Sequence, residues 1–150
     1  MSRMTANAPT PLPFAVQRID YVVLRVRELE RAIAFYRALL GCEVVKRRDD
    51  LGLVHLRAGV SMIDLVSIDG LLGRRGGAAA GEQGRNMDHL CLRIEPFDAQ
   101  AILALLDAHA LSHSGQAQIN FGAEGDGPSI YFSDPDGNQV ELKGPSLSRQ

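Results

Sequence analysis

The chain is written twice, and that duplication limits its fold more than any other feature. The segment IDYVVLRVRELERAIAFYRALLG, from Ile19, is echoed by MDHLCLRIEPFDAQAILALLDAHAL, from Met87. Each copy opens with a short alternating run rich in β-branched residues or leucine and passes into a helical pattern. In the first helix Leu29, Ile33, Tyr36 and Leu40 make an apolar stripe, and Gly41 offers the left-handed residue that ends it. In the second, Ile102, Leu105, Leu106 and His109 fall on one face, with Asp98 as the cap.

Further strands follow each helix. The last two read LGLVHLRAGVSMIDLVSI in the first half and PSIYFSDPDGNQVELKG in the second. Setting Asp64 against Glu141 implies turns of equal length between these paired strands. The second copy is longer, and its surplus is placed around SHSGQAQINFGAEGDG. The expected fold is therefore α+β: two tandem βαβββ modules forming a curved, mixed-sheet trough with the helices on its outer face. The expected organisation is an extended tail over 1–15, a first module over 16–69, a glycine-rich linker over 70–86, a second module over 87–145 and a short tail over 146–150.

Strand alternation divides each sheet into two faces. On the opening strands Val22, Leu24 and Val26 oppose Tyr21, Val23 and Arg25, while Leu90, Leu92 and Ile94 oppose His89, Cys91 and Arg93. On the closing strands Ile63 and Leu65 oppose Met62, Asp64 and Val66, and Val140 and Leu142 oppose Gln139, Glu141 and Lys143. The second set on each strand faces away from the helix, yet it mixes apolar residues with carboxylates. A carboxylate among apolar neighbours needs a partner, because an unpaired buried charge is costly or becomes protonated. Asp64 has two readings, a metal ligand or one half of an ion pair with Arg25, Arg93 or Lys143.

If the two modules face each other about a pseudo-two-fold axis, Tyr21, Asp64, His89 and Glu141 converge. One imidazole, two carboxylates and a phenol are an oxygen-rich set suited to a divalent cation. The DPDGN turn, with Pro135, Asp136, Gly137 and Asn138, sets the register that aims Glu141. His55 belongs to the same half as Asp64, but the turn between them leaves its face open.

The helix text RAIAFYRALLG and the closing SIYFSDPDGNQVEL resemble the vicinal oxygen chelate superfamily, which includes glyoxalase I, bleomycin-binding proteins and extradiol dioxygenases. The resemblance spans nearly all of the chain from Val16 to Pro145. It implies that His89 and Glu141 are metal ligands, that Asp64 stands where several members place another ligand, and that Tyr131 contacts substrate. Tyr21 stands where the family usually has histidine or glutamine. That is a departure, since a phenol with an ordinary pKa near 10 ligates poorly. The implied cofactor is a divalent manganese, iron, nickel or zinc ion.

In such members the ion acts as a Lewis acid on a small oxygenated substrate, in lyase, isomerase or dioxygenase chemistry. Glu141 would be a ligand and a general base if its pKa is raised. Arg25 and Arg93 would hold an anionic substrate. The competing reading is a metal-free binding protein of the bleomycin-resistance type.

Composition narrows the rest. The formal net charge is -2, without the basic excess that draws a chain to nucleic acid or an anionic membrane. Cys42 and Cys91 are the only cysteines and form no zinc-type spacing. Neither a signal-peptide run nor a membrane-length apolar segment occurs, so a cytoplasmic protein is expected. A homodimer is expected, to cover the edges of open sheets.

Overall fold

In a computed structural model, which describes residues 11–147, the duplication becomes two four-stranded mixed sheets. The first module runs β1 (Tyr21–Val26), α1 (Leu29–Leu40), β2 (Glu43–Arg48), β3 (Leu53–Ala58) and β4 (Ser61–Ser67). The second runs β5 (Leu90–Arg93), α2 (Ala99–Ala108), β6 (Gln118–Gly122), β7 (Gly125–Ser133) and β8 (Gln139–Lys143). The strand orders are β1-β4-β3-β2 and β5-β8-β7-β6, with β1/β4 and β5/β8 parallel and the other pairs antiparallel. The expected tail residues 1–10 and 148–150 lie outside the described residues.

The expected alternation orders the first core. Leu24 and Val26 are buried, while Tyr21 and Val23 on the opposite face are 53% and 49% exposed. Helix α1 buries Ala32, Ile33, Tyr36 and Leu39 and ends at Gly41, whose φ of 64° lies in the left-handed region and lets its N–H reach back to Arg37 O. Leu39 is the unexpected member. It packs into the second module's core with Leu106, Ile130, Phe132, Val140 and Leu142, and Phe35 touches both cores. Helix α1 therefore joins the two modules.

Helix α2 corrects the expected stripe. Asp98 caps it as expected, accepting from Ala101 N at 3.1 Å. Its inward face, however, is centred on Ile102, Leu103 and Leu106; Leu105 is 39% exposed and His109 ends the helix at the surface. At about 100° per residue, positions 102, 103 and 106 share a face that 105 cannot join.

The turns also differ from expectation. Residues 59–60 connect β3 to β4, whereas residues 134–138 connect β7 to β8. The surplus of the second module lies mainly between α2 and β6, in residues 109–117, where only 41–42 separate α1 from β2. The longer β7–β8 turn docks onto the first module. Asp134 accepts hydrogen bonds from Asp136 N, from Asn138 N and Nδ2, and from Tyr36 Oη at 2.7 Å, while Asp136 Oδ1 accepts from Arg27 N at 2.8 Å. Both residues are buried, and the bonds satisfy both oxygens of Asp134 and Oδ1 of Asp136, while Asp136 Oδ2 has no donor.

Part of the glycine-rich connection is structured as well. Gly73–Gly76 forms a 3-10 turn with Gly73 buried, and Arg25 donates to Gly73 O at 2.9 Å and to Gly77 O at 2.6 Å. Arg27 donates to Ala80 O at 3.0 Å. No helix among the described residues is long and apolar enough to cross a membrane.

Candidate functional site

The register makes the duplication a matter of atoms. Asp64 on β4 lies opposite Val23 on β1 and His55 on β3; Glu141 on β8 lies opposite Cys91 on β5 and Tyr131 on β7. The two carboxylates thus hold equivalent places, each on an inner strand between two neighbours. Both are nearly inaccessible, at 4% exposure. Their surroundings differ, and the difference decides their chemistry.

Glu141 is well supplied with donors. Ser129 Oγ donates to Glu141 Oε2 at 2.6 Å, and Asn120 Nδ2 reaches the same oxygen at 3.4 Å and the Tyr131 hydroxyl at 3.1 Å. Burial pushes the Glu141 pKa upward, but donation from Ser129, Tyr131 and Asn120, with His89 nearby, outweighs it and holds the group below its ordinary value. Tyr131 moves the other way, up to about 12, through burial and then the adjacent Glu141. The raised pKa expected of a general base at Glu141 is therefore absent from this arrangement.

His89 completes this half. Its Nδ1 lies 2.7 Å from Asp88 Oδ2, and since a carboxylate only accepts, Nδ1 is the donor. Its Nε2 lies on the other side, 3.1 Å from Glu141 Oε1. A histidine that donates one ring nitrogen to a carboxylate and offers the other is the arrangement metal-ligating histidines adopt. A cavity of about 250 Å³ lies over these groups, lined also by Cys91, Arg93, Phe121, Glu124 and Lys143. The Cys91 thiol is pushed up to about 11, by desolvation first and Glu141 second, which disfavours its thiolate at neutral pH.

The first module has a separate pocket of about 510 Å³, lined by Tyr21, Val23, His55, Asp64 and Leu72 among others. His55 Nδ1 is 3.0 Å from Asp64 Oδ1 but out of line for a hydrogen bond, and that oxygen is a buried acceptor with no donor. Of the two readings of Asp64, the ion pair with Arg25, Arg93 or Lys143 gives way to this contact with His55.

The structure thus brings Tyr21 together with Asp64, and His89 with Glu141 and Tyr131, as two groups within one chain. Among the described residues, no three His, Cys, Asp or Glu side chains gather closely enough to hold a metal ion. Arg25 is engaged with the carbonyls of residues 73–78, and Arg93 with Glu124 Oε1 at 2.6 Å and with Glu95. Lys143 Nζ donates to Gly125 O at 2.9 Å.

Sequence reasoning missed Ser129, Asn120 and Asp88. Ser129 was within reach, since it lies two residues before Tyr131 and so shares its face. Asn120 sits on β6, whose pairing no local pattern announces. The face of His55 was hidden because the turns of the two modules differ in length.

The family model described as Glyoxalase/Bleomycin resistance protein/Dioxygenase superfamily matches residues 18–142. Among solved structures, the virulence protein STM3117 from Salmonella typhimurium is similar at 24% identity and a TM-score of 0.71, covering 89% of this chain and 100% of that one. The fosfomycin resistance protein FosX from Listeria monocytogenes, as a mutant complexed with Mn(II) and 1S,2S-dihydroxypropylphosphonic acid, is similar at 18% identity and a TM-score of 0.64, covering 89% and 94%. Lactoylglutathione lyase from Agrobacterium tumefaciens is similar at 21% identity and a TM-score of 0.63, covering 90% and 98%. At these identities the likeness is one of fold.

Proposed function

The chain belongs to the glyoxalase/bleomycin resistance protein/dioxygenase superfamily, and from that premise we propose that it is a metal-dependent enzyme of lyase, isomerase or dioxygenase type acting on a small oxygenated molecule. The observation that carries this reading is the His89–Glu141 pair. Two ligand-type atoms stand 3.1 Å apart: His89 Nε2, whose ring is oriented from its other nitrogen by Asp88, and Glu141 Oε1, left over when Ser129 occupies the opposite carboxylate oxygen. Ligands on adjacent positions of one ion at metal–ligand distances near 2.1 Å stand about 3 Å apart. The donor set therefore fits a divalent manganese, iron, nickel or zinc ion, which supplies Lewis acidity when bound.

Within this reading His89 and Glu141 are ligands, and the depressed pKa of Glu141 suits a permanent carboxylate better than a base. Tyr131, held protonated with a pKa pushed up to about 12, is a hydrogen-bond donor for a substrate oxygen. Asp64, with Tyr21 beside it, is the first module's contribution. A homodimer in which one copy's first sheet faces the other's second sheet would bring the two groups together. Tyr21, Val23 and Phe121, at 53%, 49% and 82% exposure, give those faces an apolar surface to bury. Arg25 and Arg93 as anion holders would have to release the carbonyls and carboxylates they now bind.

A second reading, a metal-free binding protein of the bleomycin-resistance type, is favoured by one observation: a single chain gathers no three metal-type donors among its described residues. Elemental analysis separates the two. Untagged protein is exposed to manganese, iron, zinc or nickel, freed of unbound metal, and compared with His89→Ala and Glu141→Ala. Near-stoichiometric metal that both variants lose supports the enzyme. Metal-free wild-type protein, with ligand affinity indifferent to chelators, overturns it.

A further inference from the structure

The first module's half of the site contains a pair that the resemblance does not assign. His55 Nδ1 and Asp64 Oδ1 are 3.0 Å apart, without the geometry of a hydrogen bond. Asp64 Oδ1 is buried and lacks any donor. A carboxylate oxygen at 4% exposure without a hydrogen-bond donor is expensive. A cation bound to both atoms removes that cost, and the 3.0 Å separation suits two ligands on adjacent positions of one ion. The same relationship holds in the second module, where His89 Nε2 and Glu141 Oε1 are 3.1 Å apart.

We infer that His55, in place of Tyr21, is the first module's nitrogen ligand, and that it forms with Asp64 a half-site for a divalent cation whose other half is the His89–Glu141 pair of a second copy. The inference rests on the metal-dependent reading above and changes which residues serve it. His55 comes from β3, the strand equivalent to the one that carries Tyr131. Tyr21, on the outer strand β1, stands 53% exposed at the same pocket and becomes a wall residue.

The change of ligand alters the metal preference. Tyr21, Asp64, His89 and Glu141 would be an oxygen-rich set, open to magnesium as well as manganese. His55, Asp64, His89 and Glu141 supply two imidazoles and two carboxylates, which favours nickel, zinc or iron over magnesium.

The test is equilibrium dialysis of untagged full-length protein against nickel, with metal per chain read by elemental analysis and folding checked by circular dichroism. The set comprises wild type, His55→Ala, His55→Gln, Asp64→Asn, Tyr21→Phe and His89→Ala. His55→Gln keeps a polar side chain of similar reach on β3 in case the alanine variant folds poorly. The expected result is that both His55 variants and Asp64→Asn bind nickel more than about tenfold more weakly, that Tyr21→Phe matches wild type, and that a hundredfold excess of magnesium does not displace the nickel.

Wild-type affinity in both His55 variants, with loss only in His89→Ala, overturns the inference and leaves the enzyme reading standing. Loss in Tyr21→Phe equal to that in the His55 variants also overturns the exchange of ligands. A wild type that binds no metal overturns both.

Discussion

Asp64 and Glu141 hold the same place in the two sheets, yet one has a buried oxygen without a donor and the other is bonded by Ser129 and Asn120. Duplication copied the backbone position, and divergence of the neighbours separated the chemistry. On β7, the residue two before Tyr131 is Ser129; on β3, the residue two before His55 is Leu53, which has nothing to donate.

The Ser129 bond has a measurable consequence. Glu141 lies below its unfolded value, so its contribution to stability is complete above the unfolded carboxylate pKa of about 4.3 and is lost as pH falls through the lower folded value. Ser129→Ala removes the shortest donor and is expected to cost about 1–3 kcal/mol at neutral pH. It also raises the folded value, so the acid-side loss becomes smaller and ends at a higher pH. Urea unfolding at a series of pH values checks both; identical pH profiles for variant and wild type would refute the assignment.

Tyr36 governs the alkaline side. Burial and the Asp134 carboxylate push its phenol well above its ordinary value. A raised folded pKa means stability that is full below the unfolded tyrosine pKa of about 10 and is lost as pH rises beyond it. Tyr36→Phe, which keeps the ring in the core, is expected to cost about 1 kcal/mol at pH 7 and to flatten the decline above pH 10. Thermal melts at pH 7, 9 and 10.5 measure the difference, and a variant that declines as steeply as wild type would count against Tyr36 as the responsible group.

Cys91 offers a chemical probe of the second pocket. With its pKa pushed up to about 11, it is expected to react with iodoacetamide at pH 8 roughly a hundredfold more slowly than a small free thiol. Mass spectrometry of the modified peptide follows the rate. Alkylation at the speed of the free thiol would show that the surroundings of Cys91 are not those described.

The connection after β4 depends on Gly73. A Cβ built there would stand 1.7 Å from Ser67 O, so Gly73→Ala must displace the 3-10 turn that Arg25 holds. The expected cost is about 1–3 kcal/mol, with faster proteolysis between residues 68 and 80. Gly77→Ser has open space around its Cβ but a φ of 73°, and serves as a control for backbone strain without the clash. Equal protease resistance in Gly73→Ala and wild type would mean that the turn is not held as described.

Much of this protein follows from local pattern. Alternation along Val22, Leu24 and Val26, the glycine after α1 and the cap at Asp98 each act within a few residues, where backbone geometry leaves little choice. The duplication then makes His89 the positional counterpart of Tyr21, and Glu141 that of Asp64. Other features belong to the tertiary structure, because they depend on contacts between residues far apart in the chain. Leu39 entering the second core, Tyr36 reaching Asp134, Asn120 reaching Glu141 and Arg25 holding Gly73 are of this kind. The partner of Asp64 is another, since alternation loses its phase across a turn of unknown length, and only the register of β3 against β4 puts His55 beside it.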